Sequence, residues 1–102
     1  MRRRLFSVSN EITCYVIAYD IPDDKRRTKV HNILLRYGKW TQYSLFECFL
    51  TRKQLVFLRS RLQEYLVPRQ DSVRIYPLCA NCVGKVETVG GPPPEDDLLF
   101  VL

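Results

Sequence analysis

The sequence predicts an α+β fold of element order β-α-β-β-α-β, and three observations predict it. Ile12 to Tyr19 is an apolar run long enough for a buried strand. Two helical patterns follow, each with a start signal. Aromatic-rich, strand-like segments lie between and after those helices. At 102 residues the chain supports one small domain with one core, which we place over 11–89. Residues 1–10 read as a basic N-terminal extension, and 90–102 as a Pro-rich linker and an apolar tail.

The first strand is apolar on both faces, with Cys14, Val16 and Ala18 on one and Tyr15, Ile17 and Tyr19 on the other. Asp23 or Asp24 then supplies an N-cap. Val30, Ile33, Leu34 and Tyr37 follow at helical spacing, with Gly38 placed as the C′ residue. Trp40 to Leu50 is too short for two long strands and reads as a tight hairpin turning near Tyr43-Ser44, with one bent strand as the alternative. Thr51-Arg-Lys-Gln54 has capping-box spacing and opens the second helix. Leu55, Leu58, Leu62, Tyr65 and Leu66 form its buried stripe, and Pro68 stops it. Ser72 to Cys79 is a further strand, and Val83 to Val89 a short extra one. Gly90-Gly-Pro-Pro-Pro94 cannot be regular structure.

That order matches the ferredoxin-like split βαβ unit, here with an extra short C-terminal strand. Both helices then cover one face of an antiparallel sheet and leave the other bare. Because the first strand is apolar on both sides, a second copy is expected to cover Tyr15, Ile17 and their strand mates. The chain is thus expected to form a two-fold homodimer through sheets or strand edges. The competing reading is a monomer whose tail folds back over that face.

Composition narrows the classes. A hydrophobic fraction of 46% with 26% charged residues fits a globular domain, and no apolar stretch reaches the ~18 residues of a membrane span. Arg2 to Arg4 are followed by no apolar h-region, so a cytoplasmic protein is the expectation. The net charge of +5 favours acidic partners, nucleic acid above all. Cys14 and Cys48 sit in apolar strands as small core hydrophobes. Cys79 and Cys82 form a lone Cys-x-x-Cys, which without two more ligands at similar spacing does not make a zinc site. His31, the only histidine, lies off the apolar stripe and reads as exposed surface.

Asp20 carries the chemistry. A carboxylate ending a buried strand, with Arg26 and Arg27 in the first turn of the next helix, can hold a divalent metal against a phosphate. Mg²⁺ is usually held by one or two carboxylates, so a two-fold axis near the strand end would bring two copies of Asp20 to one ion. The plainer reading leaves Asp23 and Asp24 as caps and the arginines as solvated surface. These residues alone do not choose between the two.

The ordered set Tyr19-Asp20-Ile21, Arg26-Arg27, Tyr37-Gly38 and Gln42-Tyr43-Ser44-Leu45-Phe46-Glu47 resembles one family's signature series. It is the small CRISPR-associated endoribonuclease family, the second of the two core proteins of spacer acquisition, and the match runs from about Tyr15 to Val89. The resemblance implies a ferredoxin-like homodimer with Mg²⁺ (or Mn²⁺) held between the two copies of Asp20. It implies metal-dependent cleavage of single-stranded RNA or double-stranded DNA, and a dimer that bridges the CRISPR integrase. Residue by residue, Asp20 becomes the metal ligand, and Tyr19, Arg27 and Phe46 match positions tied to nuclease function. Arg26, Arg27, Lys29 and Ser44 fall where nucleic acid would be held. One departure stands out, since many members carry arginine where this chain has Trp40. Packing is the preferred reading of Trp40, with base stacking as the other.

Two function classes follow. In one the protein is a metal-dependent endonuclease resting on Asp20. In the other it is a non-catalytic nucleic-acid-binding adaptor of the integrase, gripping phosphates with Lys25, Arg26, Arg27, Lys29, Arg52, Arg59 and Arg61. An RNA-recognition module is disfavoured, because no strand carries the aromatic RNP motif. The apolar end of the tail, Leu98 to Leu102, is suited to adding a strand to a partner, the plainer reading being a frayed terminus behind the acidic Glu95 to Asp97.

Overall fold

A computed structural model describes residues 11–91; the basic extension, most of the linker and the apolar tail lie outside the described residues. Strand β1 (Ile12–Asp20) leads to helix α1 (Asp24–Leu35), the hairpin β2 (Lys39–Gln42) and β3 (Leu45–Thr51), helix α2 (Arg52–Gln63), strand β4 (Ser72–Leu78) and a single helical turn, α3 (Ala80–Val83). The sheet order is β2-β3-β1-β4, and every pairing is antiparallel. This is the βαββαβ arrangement, with β1 and β3 central and β2 and β4 at the edges.

Local chemistry explains the elements. Asp23 is the N-cap of α1, its carboxylate accepting the Arg26 N–H at 2.9 Å, which satisfies one of the helix's orphan donors. Thr51 and Gln54 form a reciprocal capping box at the start of α2, at 3.2 and 2.8 Å. Helix α2 ends at Gln63, short of Pro68, and Tyr65 and Leu66 pack on the core from the chain that follows it. Gly38 is not the αL cap residue that its position suggested. The cap of α1 is Arg36, and Gly38 lies outside the positive-φ region. Its role is clearance, since a Cβ there would fall 2.5 Å from the Glu47 carbonyl oxygen and into the Cys48 sulfur.

Val83 to Val89 does not form a strand. Cys79 caps the turn α3 instead, and residues 84–89 carry no regular element. Helical closure of Ala80–Val83 takes the first residue of that run, and Gly84, a weak strand residue, follows at once.

The core lies between the sheet and the two long helices. Ile17, Phe46, Cys48, Val30, Leu34 and Leu58 are fully buried in it, and Tyr15 and Tyr19 are nearly so. Strand alternation therefore puts Tyr15, Ile17 and Tyr19 beneath the helices. The expectation that a second copy covers them is corrected: the bare face is the other one. It carries Cys14, Val16, Ala18 and Asp20 of β1, flanked by Leu45, Glu47 and Phe49 of β3 and by Arg74, Tyr76 and Leu78 of β4. Among the described residues no helix is long and apolar enough to cross a membrane.

Candidate active site

Asp20 is the last residue of β1, exposed, and opposite Ser72 of β4 on the sheet's bare face. The backbone on both sides of it is held. Before it, the Tyr19 N–H donates to the Ser44 carbonyl at 3.1 Å, which ties the strand end to the hairpin turn. After it, one Arg27 nitrogen donates to the carbonyls of Ile21 and Pro22 at 2.9 and 3.2 Å, and another bonds Asp24. The carboxylate thus projects from a chain segment fixed on both sides, which limits the reorganisation needed to meet a ligand.

Arg26 is committed elsewhere. Its Nε and Nη2 donate to the two carboxylate oxygens of buried Asp71 at 2.8 and 3.1 Å, and Nη2 also reaches Gln70 at 3.1 Å. Asp71 additionally accepts the Val67 N–H at 2.9 Å. The Arg26 hydrogen bonds hold the Asp71 carboxyl below its ordinary range, aided by Val67 and opposed by partial desolvation. This fork locks the start of α1 to the residue preceding β4, so Ser72 arrives opposite Asp20. Lys29 sits 5.4 Å from the centre of the Tyr65 ring, a cation–π contact at a flank.

Behind the strand end lies an aromatic group. Tyr19 points into the core, and its hydroxyl meets His31 Nδ1 at 2.9 Å. The His31 ring lies 5.1 Å from Phe46 and 5.5 Å from Trp40, both edge-on, and Tyr19 lies 6.4 Å from Phe46. Burial raises the Tyr19 hydroxyl pKa, and the nearby Arg27 charge opposes that rise. His31 is therefore half-buried and partnered, contrary to the exposed surface expected. Trp40 is half exposed, its indole N–H donating to the Tyr43 carbonyl at 2.7 Å. Tyr43 is exposed at the turn with φ of 45°, an uncommon conformation for a residue with a Cβ.

The structure thus gathers Asp20, Tyr19, Phe46, Ser44 and Arg27 around one strand end. It sends Arg26 to Asp71 and Lys29 to Tyr65. Sequence reasoning missed Asp71 and His31. Asp71 lies 45 residues from Arg26 and His31 lies 12 from Tyr19, so neither pairing carries a local sign. Among the described residues no group of three or more histidine, cysteine, aspartate or glutamate side chains gathers as a metal cage. The candidate metal site rests on one carboxylate per chain.

Residues 13–86 match the family model described as CRISPR associated protein Cas2. The chain belongs to the Cas2 family. It is 46% identical over 79 residues to a Synechocystis protein named CRISPR-associated endoribonuclease Cas2 3, covering 78% of this chain and 86% of that one. It is 49% identical over 82 residues to a Thermus thermophilus protein named CRISPR-associated endonuclease Cas2 2, covering 79% and 87%. The solved Cas2 of Streptococcus pyogenes superposes with a TM-score of 0.68 at 32% identity, covering 76% of this chain and 99% of that one. A chain of a partial Cas6-RT-Cas1–Cas2 complex superposes with a TM-score of 0.68 at 25% identity, covering 82% and 92%. The ferredoxin-like architecture of this Cas2 member agrees with those neighbours.

Proposed function

We propose that this Cas2-family chain acts in CRISPR adaptation as a homodimeric, metal-dependent endonuclease, with Asp20 as its metal ligand. The observation that carries the reading is the exposed Asp20 carboxylate at the end of β1, on the face the helices leave bare, with its backbone braced by Ser44 and Arg27. Relatives named endoribonuclease and endonuclease support a phosphodiester substrate, either single-stranded RNA or double-stranded DNA. The chain matched in a Cas1–Cas2 complex supports a place beside the integrase.

A lone hard oxygen donor fits Mg²⁺ or Mn²⁺ when water, substrate phosphate and a second carboxylate complete the shell. The bare face carries Val16, Ala18, Leu45, Phe49 and Tyr76, apolar surface suited to a second copy. A two-fold axis near the end of β1 would bring the two Asp20 side chains together. A bound cation would lower the pKa of its water and offset charge on the phosphate. The chain's own part is to hold Asp20 still. Tyr19 and Phe46 pack beneath the strand end, Arg27 fixes the loop after it, and the basic surface draws the polyanion in.

The adaptor reading has its own support. Arg26 and Arg27 spend donors on Asp71, Asp24 and backbone carbonyls, which makes them braces. Lys25, Arg52, Arg59 and Arg61 are exposed for phosphate contacts that need no catalysis.

The deciding experiment is cleavage of labelled single-stranded RNA and duplex DNA by wild type and Asp20→Asn across Mg²⁺ and Mn²⁺ titrations. The nuclease reading expects metal-dependent cutting by wild type. In the variant the loss should exceed the roughly 10- to 100-fold typical of outer-shell changes. Equal cutting by both, or none by either, leaves the adaptor reading standing.

A further inference from the structure

Far from Asp20, at the opposite end of β1, two thiols meet on the turn α3. Six residue steps along the strand from Cys14 to Asp20 correspond to roughly 20 Å, so this region is separate from the candidate metal site. Cys79 is the N-cap of α3, and its sulfur accepts the Cys82 N–H at 3.4 Å. Both cysteines are exposed and free. The Val83 N–H closes on the Cys79 carbonyl at 3.0 Å, so Cys79 and Cys82 stand within one helical turn, about 5–6 Å apart at Cα. That spacing lies inside the ~4.4–6.8 Å window of a disulfide. Beside the pair, an open cleft of about 500 Å³ is lined by Ile12, Cys14, Phe49, Leu78, Cys79 and Ala80. A space of that size admits a small peptide-like thiol compound.

The four cysteines fall into two unlike pairs. Cys14 and Cys48 are buried, and burial pushes both thiols up, Cys48 to about 12, so neither supplies thiolate near neutral pH. The Cys82 N–H that the Cys79 sulfur accepts favours the Cys79 thiolate and lowers its pKa, while the neighbouring Cys82 thiol is pushed up. One thiol of the exposed pair is thus set to attack and the other to follow.

We propose that Cys79 and Cys82 form a redox-active dithiol that exchanges with small-molecule disulfides, Cys79 as the attacking sulfur and Cys82 as the resolving one. The Cys79 thiolate attacks one sulfur of the small disulfide, whose S–S bond breaks. A mixed disulfide forms on Cys79, and the first small thiol leaves as thiolate and takes a proton from water. Cys82 then loses its proton to solvent and attacks the Cys79 sulfur. The Cys79–Cys82 disulfide closes, and the second small thiol is released. Two protein thiols are oxidised and one small disulfide is reduced. The site is independent of the nuclease reading.

The test exposes the native full-length protein, with Cys79→Ser and Cys82→Ser, to oxidised glutathione at about pH 8, near the ordinary thiol range. Samples are quenched in acid and weighed intact by mass spectrometry. Wild type is expected to lose two hydrogens and retain no adduct. Cys82→Ser is expected to collect one glutathione on Cys79, and Cys79→Ser to react at least about tenfold more slowly. Peptide mapping should find Cys14 and Cys48 unmodified. Wild type that stays reduced or stops at the mixed disulfide overturns the proposal. So does Cys79→Ser reacting as fast as Cys82→Ser.

Discussion

The two faces of this sheet carry similar side chains in β1 and meet opposite fates. Tyr15, Ile17 and Tyr19 disappear under α1 and α2; Val16 and Ala18, one residue along, stay only partly covered. The covered face is knit by ring contacts and by the Tyr19–His31 bond. Among the described residues the two long helices leave the other face uncovered, although Cys14 at its far end is buried, and its candidate functional side chain, Asp20, is exposed. Stability is concentrated on one side and candidate chemistry on the other. Substitutions on the two faces should therefore separate folding from activity.

The largest expected effect is on the covered face. Phe46→Ala removes a fully buried ring from beneath the strand end and should cost ~3–5 kcal/mol, read as a lower urea midpoint. A loss under about 1 kcal/mol would mean that the covered face does not carry the fold. Asp20→Asn is the contrasting case. Its stability should stay within about 0.5 kcal/mol of wild type, because the side chain is exposed, while metal-dependent cleavage collapses. A variant that both melts early and stops cutting would erase the distinction between the faces.

Gly38→Ala tests clearance at the hairpin's entry. A methyl forced against Glu47 and Cys48 should destabilise by roughly 1–3 kcal/mol, measured in the same titration. An unchanged midpoint would show that the backbone yields there.

The smallest effect concerns acid. The carboxyl of Asp71 is held below its ordinary value of about 3.9, so between the two values the unfolded chain binds more protons than the folded one. Stability there rises with pH. The Arg26–Asp71 contribution is full above the unfolded value and is lost as pH falls through the lower folded one. Urea midpoints between about pH 3 and pH 7 should drop more steeply at the acid end for wild type than for Asp71→Asn. Parallel profiles would remove Asp71 from the acid response.

Much of the architecture was legible in the chain. The apolar run of β1, the Asp23 cap, the Thr51–Gln54 box and the turn at Tyr43-Ser44 are local signals, and each stands where the residues put it. Which face of β1 the helices choose was not legible, because alternation with apolar residues on both sides carries no sign of direction. A short strand over 83–89 was expected, and the Cys79 cap with Gly84 decided otherwise. At the candidate site, Asp20 was legible from its place at a strand end. The bonds of Arg26 and His31 were not, since each depends on a tertiary partner that no local pattern announces.

Trp40 is the chain's single tryptophan. Its indole bonds the hairpin turn through Tyr43 and lies edge-on to His31 of α1. Indole emission from this protein therefore has one source, seated where the hairpin meets the first helix. A change in that emission without a matching loss of helical circular dichroism marks an opening of this corner alone. Unfolding followed by the two signals together tests directly whether the strand end bearing Asp20 melts with the rest of the domain or ahead of it.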